Sequence, residues 1–478
     1  VAADEHTPAP GARKPVSHAD IFRFYLPLVL TSQMMTLSGP VINLGVGRSE
    51  DPTLNFAGYW LGFAVVLFLE SPCLVVQQVA AALVGGFQSL RRLFLTSVLA
   101  GIVASLAILA VSSTAAGDVL FRTFIPTTDR VAELARRVMA IQAPIPILVC
   151  IRGVANGLAI RERRTPLVAR ATLVRIVILS TIVAAAVWLH NGSGAIAGAW
   201  ALTTGIACEA ATVVAGTFPF VRWRYRRRRT AEGELTYSLI FKVAAPLIVA
   251  GVVWTITRPV INAVVGLLPD PELAQAGFGV ILPLILVTCS PLWTLQNVSL
   301  VLPETRADLR QVIRFSAAAA LIFTVGILAL ALSPVSDLVL RRGFGLSPRL
   351  EADVRPAVYL IAIEPVLLTA RAYSQGLLMK ARRTEAFLVF SPIKIGLIAG
   401  AGFLAAHRFP EVSGTLLGTA LFLGGDLLDA FVYNWKVREL LREGVLLRRS
   451  PNSIGDRSPG DARARGEIEV SREPEGVG

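Results

Sequence analysis

The sequence is short of what chemistry in water relies on. Only 17% of its 478 residues are charged, against about a quarter in an average soluble domain, while 54% are hydrophobic. A chain this long and this apolar cannot keep its surface out of water by folding into ordinary domains, which excludes most soluble enzymes and nucleic-acid readers. Its four cysteines, Cys73, Cys150, Cys208 and Cys289, lie in apolar stretches with neither CxxC nor Cys/His spacing, so they read as small hydrophobes and not as staples or metal ligands. Its four histidines fall in the polar N-terminal tail (His6, His18) or at the ends of apolar runs (His190, His407), leaving no HExxH and no base for a Ser or Cys nucleophile. No catalytic residue, cofactor or metal is expected, and the chain does not read as an enzyme. The first twenty residues lack the apolar core and cleavage pattern of a signal peptide, and read as a cytoplasmic tail.

What the sequence has is hydrophobic length. A membrane-spanning helix needs about 20 mostly apolar residues. Twelve such runs occur, at roughly 21–46, 56–84, 91–113, 137–160, 166–189, 194–221, 237–266, 273–302, 311–334, 354–380, 385–406 and 412–437. The expected fold is all-α and integral to the membrane, with twelve transmembrane helices. An even number puts both termini on one side. The loops on that side hold Arg91 and Arg92, Arg161 with Arg163 and Arg164, the run Arg222 to Arg229, Arg306 with Arg310, Lys380 with Arg382 and Arg383, and Arg448 with Arg449. The positive-inside rule therefore makes the termini cytoplasmic in a cell (inner) membrane. The net charge of +13 belongs to these loops. The stretch from Arg222 to Thr230 reads as a topology-fixing linker that meets anionic lipid headgroups, and no nucleic-acid partner is expected.

An internal repeat organises these spans. Shifted by 219 residues, Pro40-Val41-Ile42-Asn43 falls on Pro259-Val260-Ile261-Asn262. In the same frame Ser71-Pro72 falls on Ser290-Pro291, Gln77 on Gln296, Pro146 on Pro365, Arg152 on Arg371 and Gly157 on Gly376. After a one-residue insertion, Gly198 meets Gly418 and Glu209 meets Asp429. Apolar bias aligns Leu with Leu by accident, but not scarce prolines, arginines and amides. The chain thus reads as a tandem duplication: a cytoplasmic tail (1–20), an N-lobe of six helices (21–221), a basic cytoplasmic linker (222–236), a C-lobe of six helices (237–441) and a disordered cytoplasmic tail (442–478). Two six-span copies share an orientation, so a pseudo-twofold along the membrane normal relates them, and such lobes enclose a cavity that can open to either side by rocking. A single chain is taken as the working unit.

Charges within spans point to function, because a centred Asp, Lys or Arg costs about 2.5–3.5 kcal/mol even on the mild insertion scales. The acids are Glu70, Glu209, Glu364, Asp426 and Asp429; as groups for coupling or charge pairing, they either carry protons or neutralise arginines. Among the bases, Arg170 is near enough to the cytoplasmic end to snorkel, and Arg175 and its repeat mate Lys394 nearly so. Arg152 and Arg371, each six residues after a helix-distorting proline, are expected either to face each other across the central axis and hold an anion, or to pair with an acid of their own lobe. Arg258, just before Pro259 in an expectedly broken seventh span, is a natural clamp for phosphate or carboxylate because its guanidinium is planar and bidentate. Asn43 and Asn262, one turn on, and Gln77 and Gln296, after the Ser-Pro kinks, either orient substrate or hydrogen-bond between helices.

Around Thr257-Arg258-Pro259-Val260-Ile261-Asn262 the sequence resembles the progressive ankylosis protein family, with echoes at Asn43, at Ser71-Pro72 and from Gly376-Leu377-Leu378 to Arg383-Thr384. This family is a branch of the MOP flippase superfamily, which also holds the multidrug and toxic compound extrusion (MATE) carriers and flippases for lipid-linked precursors. The resemblance implies a MATE-like two-lobe carrier that exports small anions such as citrate, nucleotides or pyrophosphate-like metabolites by alternating access. Export of a lipid-linked anionic headgroup, or of drugs as in MATE carriers, is the alternative. Cation-exporting drug carriers typically place an acid in the first span, and residues 21–46 hold none. Lipid-precursor flippases usually add two spans for which this chain has no room. Major facilitator carriers share the six-plus-six layout, but the loop Gly85-Gly86-Phe87-Gln88-Ser89-Leu90-Arg91-Arg92 lacks their Gly-x-x-x-Asp-Arg motif.

Overall fold

A computed structural model describes residues 16–162, 164–189, 192–221, 236–381, 383 and 385–443. The described regular structure is helical throughout. The first half holds α1 (His18–Thr36), α2 (Ser38–Val46), α3 (Pro52–Leu74), α4 (Val76–Leu83), α5 (Phe87–Ser113), α6 (Ala115–Val119), α7 (Asp129–Gln142), α8 (Ile145–Arg161), α9 (Thr165–Trp188) and α10 (Gly194–Phe220). The second holds α11 (Tyr237–Val265), α12 (Pro271–Trp293), α13 (Leu295–Val301), α14 (Arg306–Leu332), α15 (Pro334–Asp337), α16 (Pro348–Ile361), α17 (Glu364–Lys380), α18 (Glu385–Arg408) and α19 (Gly414–Arg442). The basic run Arg222–Arg229 and most of both expected tails lie outside the described residues.

Helix starts recur in the repeat frame because their capping side chains do. Asp51 and Asp270 accept from the amides of Leu54 and Leu273, Thr128 and Ser347 from Val131 and Leu350, and Ser193 and Ser413 from Ile196 and Leu416. Each cap satisfies an amide that the first helical turn leaves bare. Breaks recur as well. The α3/α4 break after Ser71-Pro72 matches the α12/α13 break after Ser290-Pro291, and the α7/α8 break before Pro146 matches the bend of 47° between α16 and α17 before Pro365. A π-helical segment follows both α6 (Leu120–Phe124) and α15 (Leu338–Gly343).

Among the described residues, nine helices are long and apolar enough to cross a membrane, or ten if the bent α16–α17 pair counts as one span. The first expected run, divided at Leu37 between α1 and α2, and the eleventh, α18, are not among them. The seventh departs from expectation in the other direction: α11 runs unbroken through Arg258 and Pro259. A proline removes one amide donor, and in a membrane helix neighbouring groups re-satisfy the freed backbone. Beside it the Thr255 and Thr257 hydroxyls bond back within the helix, to the Gly251, Val252 and Val253 carbonyls, which keeps those hydroxyls satisfied in apolar surroundings. Where α11 has Arg258, the first span has the flexible Gly39, and only that span breaks.

The helices α5 and α14 are outermost, exposing Val103 and Leu106 on one and Ile322 and Val325 on the other, at matching positions of the repeat. The lobes meet along α3 and α12, where Trp60 lies against Gly279 so closely that an added Cβ would stand 2.6 Å from the indole. The helix α1 reaches onto the other lobe, with Thr36 Oγ1 3.2 Å from Ser290 Oγ and Tyr25 edge-on to Phe315; α11 in turn packs on α3 and α4. At the end remote from the termini, Thr127 donates to Gln275 at 2.6 Å, Thr128 to Glu272 at 3.2 Å and Arg48 to the Gly343 carbonyl at 3.0 Å, so the lobes are laced together there.

Glycines let the inner helices close up. A Cβ on Gly157 of α8 would sit 2.7 Å from the Gln77 carbonyl oxygen of α4, and Gly376 of α17 stands tighter still against the Gln296 carbonyl of α13. Gly157→Val and Gly376→Val are each expected to destabilise the protein by about 1–3 kcal/mol, read as a lowered thermal midpoint of the detergent-purified chain.

Candidate functional site

The intramembrane charges gather into one cluster per lobe. In the N-lobe, Glu209 of α10 is the hub: Arg152 Nη1 of α8 donates to it at 2.7 Å, Arg175 Nη1 of α9 at 3.2 Å and Thr172 Oγ1 at 3.2 Å. Arg175 does not snorkel. It is 6% exposed, and its Nη2 donates to the Met35 carbonyl at 3.2 Å, capping the chain where the first span breaks. In the C-lobe, Arg371 of α17 is paired with Asp426 of α19 and lies 3.9 Å from Asp429, while Lys394 of α18 donates to Asp429 at 2.7 Å. Of the two arrangements expected for Arg152 and Arg371, these contacts are those of pairing within each lobe. Each is claimed by a carboxylate of its own lobe, because an unpaired charge in the interior is more costly than a pair.

The two clusters are not copies. Arg152 with Arg371, Arg175 with Lys394 and Glu209 with Asp429 are repeat mates, but Glu364 and Asp426 stand where the N-lobe has Ile145 and Ile206, and Glu70 stands where the C-lobe has Cys289. Glu364 and Glu70 are both buried, each with an Oε2 that takes no hydrogen bond. The C-lobe thus carries an extra carboxylate, and the cation that balances the sum is Arg258, whose repeat mate is Gly39.

Arg258 is the exception among these bases. It is 6% exposed, yet among the described residues no carboxylate oxygen lies within 4.0 Å of its guanidinium. The guanidinium lies over the Trp254 ring, 4.8 Å from its centroid, one helical turn back on the same face. Across the lobe boundary Glu70 of α3 acts on it electrostatically, as it does on Arg152. Arg258, Arg371, Lys394 and Asp426 line a single narrow cavity, walled by Trp254, Trp293 and Phe422 and open to a water-sized sphere over about 20 Å³, room for about one water. A wider cleft, at the far edge of the N-lobe, is lined by the exposed Arg136–Asp118 pair and sits apart from the intramembrane charges.

Of the amides expected at the site, Asn43, Gln77 and Gln296 contact other helices and Asn262 bonds within its own. Asn43 is fully buried, accepts from Trp60 Nε1 at 2.8 Å and donates to the Val280 carbonyl of the other lobe at 3.5 Å. Asn262 donates to the Arg258 carbonyl at 3.0 Å, Gln77 accepts from Asn156 at 3.3 Å, and Gln296 Nε2 touches Met379 Sδ at 2.9 Å. Sequence reasoning missed the tryptophans. Trp254 carried a usable signal in its i, i+4 spacing to Arg258, whereas Trp293 reaches the cavity only through tertiary packing.

The family model described as progressive ankylosis protein (ANKH) matches residues 14–266, more than half of the chain. No curated protein matches it. Among solved structures, an inward-facing MATE multidrug transporter of the MOP superfamily superimposes with a TM-score of 0.69 at 13% identity, over 89% of this chain and 99% of the other. The MATE multidrug transporter DinF-BH, solved as a complex, gives 0.62 at 15% identity, over 90% and 96%. A MOP superfamily transporter from Pyrococcus furiosus, described by the reverse polarity of its binding pocket, gives 0.54 at 14% identity, over 90% and 96%. The fold is that of these carriers.

The unequal clusters predict unequal mutants. Glu209→Ala strands two buried arginines and is expected to cost about 3–5 kcal/mol, whereas Asp429→Ala strands Lys394 alone, leaves Arg371 its Asp426, and costs less. Thermal unfolding of the two purified variants side by side checks the order.

Proposed function

This chain belongs to the progressive ankylosis protein family and has the fold of a multi-pass membrane transporter; on that premise we propose that it exports a small organic or phosphate-bearing anion by alternating access between its lobes. Citrate, a nucleotide and pyrophosphate are the representative cargoes. The observation that carries the reading is Arg258, a buried guanidinium on a cavity wall with no carboxylate in contact. A permanent cation held this way is stabilised only weakly by an aromatic face, so an incoming carboxylate or phosphate finds a donor fork that no protein acid already occupies. Arg152 and Arg371 then act at one remove. Their own acids hold them in place, and Arg371 adds positive potential to the wall that Arg258 shares.

The charge pattern argues against a cationic drug as cargo. The described first span has its only acid, Asp20, at the outset, where it caps the helix with Ser17. The cavity as it stands holds water and not a citrate-sized anion, so loading requires α11 to shift against the C-lobe helices that close it. In this reading Glu70 is the competitor for Arg258: it draws the guanidinium toward the N-lobe when the site is empty and yields to cargo when it fills. Both termini face the cytoplasm, and one chain suffices.

Uptake of labelled citrate, ATP and pyrophosphate into inside-out vesicles is the test. Arg258→Ala is expected to lower kcat/KM for the true cargo by about 10- to 100-fold, as loss of a hydrogen bond to a charged group does, with Arg258→Lys retaining part. Transport of every anion at the wild-type rate by Arg258→Ala would end the proposal.

A further inference from the structure

The duplication allows one half of the molecule to serve as a control for the other. At the termini-proximal end of the C-lobe, α14, α17 and α19 close on a hydrophobic cluster of Leu309, Leu377, Tyr433, Val437 and Leu440, with Tyr373 and Leu441 packed against it. Asn434 of α19 zips the seam by donating to the Ala370 carbonyl of α17 at 3.2 Å. The same place in the N-lobe, between α5, α8 and α10, is an open cleft of about 290 Å³. Val154 stands there in place of Tyr373, and Val214 and Ile151 face the cleft where Asn434 and Ala370 make their bond. Phe94 and Phe218 line it while remaining 39% and 58% exposed.

The cleft is almost wholly apolar, with one exception at its mouth. Arg91, near the start of α5, is exposed and has no carboxylate within 4.0 Å among the described residues. From Leu158 to Ile151 the α8 wall descends about 10 Å into the membrane at 1.5 Å per residue. An apolar channel whose one charged lining residue is an interfacial cation and that runs inward from it matches a molecule with an anionic head and a hydrocarbon tail. We propose that this cleft is a specific site for an anionic phospholipid, one acyl chain lying along Ile151, Val154 and Leu158 and the phosphate on Arg91. The lipid does for the N-lobe what Tyr373 and Asn434 do for the C-lobe. It fills the seam between α8 and α10, the helices joined by the Arg152–Glu209 pair. The site is separate from the cavity at Arg258 and stands whether or not anions are the cargo.

Native mass spectrometry of the full chain, titrated with phosphatidylglycerol or phosphatidylcholine, tests the site. The wild type is expected to retain one phosphatidylglycerol at detergent activations that strip phosphatidylcholine. Val154→Tyr, which borrows the filling of the other lobe, should lose that lipid, and Arg91→Gln should bind the two lipids alike. Tyr373→Val, which opens the mate, should gain a second lipid. The inference is overturned if Val154→Tyr keeps the phosphatidylglycerol of the wild type, or if the wild type retains phosphatidylcholine equally well. Lipid-free thermal midpoints show that the variants are folded: Val154→Tyr is expected at or above the wild type.

Discussion

Charge that must live in hydrocarbon is the constraint from which the rest of this molecule follows. Ten ionisable groups lie within its spans, and each costs more to leave bare than to pair. Pairing them fixes which helices meet. Glu209 draws α8 and α9 onto α10, and Asp426 and Asp429 draw α17 and α18 onto α19. Hydrophobic burial contributes little to choosing between such arrangements, because lipid is as apolar as leucine. Ion pairs and small residues therefore choose the neighbours, and the glycines at 157 and 376 let those neighbours come close.

Against that background one cation left without a carboxylate is informative. Five bases and five acids balance in number, and the third acid of the C-lobe is matched by a third base, Arg258, which lies on the cavity wall over a tryptophan ring and out of contact with any carboxylate among the described residues. The two copies differ at a few positions, with Ile145 and Ile206 mirrored by Glu364 and Asp426, and Gly39 mirrored by Arg258. Symmetry supplied the frame of the carrier. Departures from symmetry mark where it can recognise something.

Much of this was legible beforehand because its signals are local or periodic. Span length, the 219-residue repeat and the Ser-Pro breaks needed no knowledge of contacts. Arg258 stood out because an arginine replaces a glycine in an otherwise matching string. What stayed hidden depends on distant packing. Arg152 and Glu209 are 57 residues apart, and nothing in either segment says that α8 and α10 adjoin. The continuity of α11 was also hidden, since a proline that would end a soluble helix is tolerated in a membrane helix packed among its neighbours. Asn43 left two readings open for a similar reason. A buried amide is equally suited to tethering two helices, and only its neighbours Trp60 and Val280 decide.

The exchange of α1 and α11 between lobes also bears on how the molecule is made. The N-lobe surface on α3 and α4 is covered by α11, so it stays bare while the first six spans are being synthesised and is completed only once the chain has been translated through about residue 265. Until then the half-made protein presents to the bilayer, or to an insertion chaperone, a face built for a helix that does not yet exist.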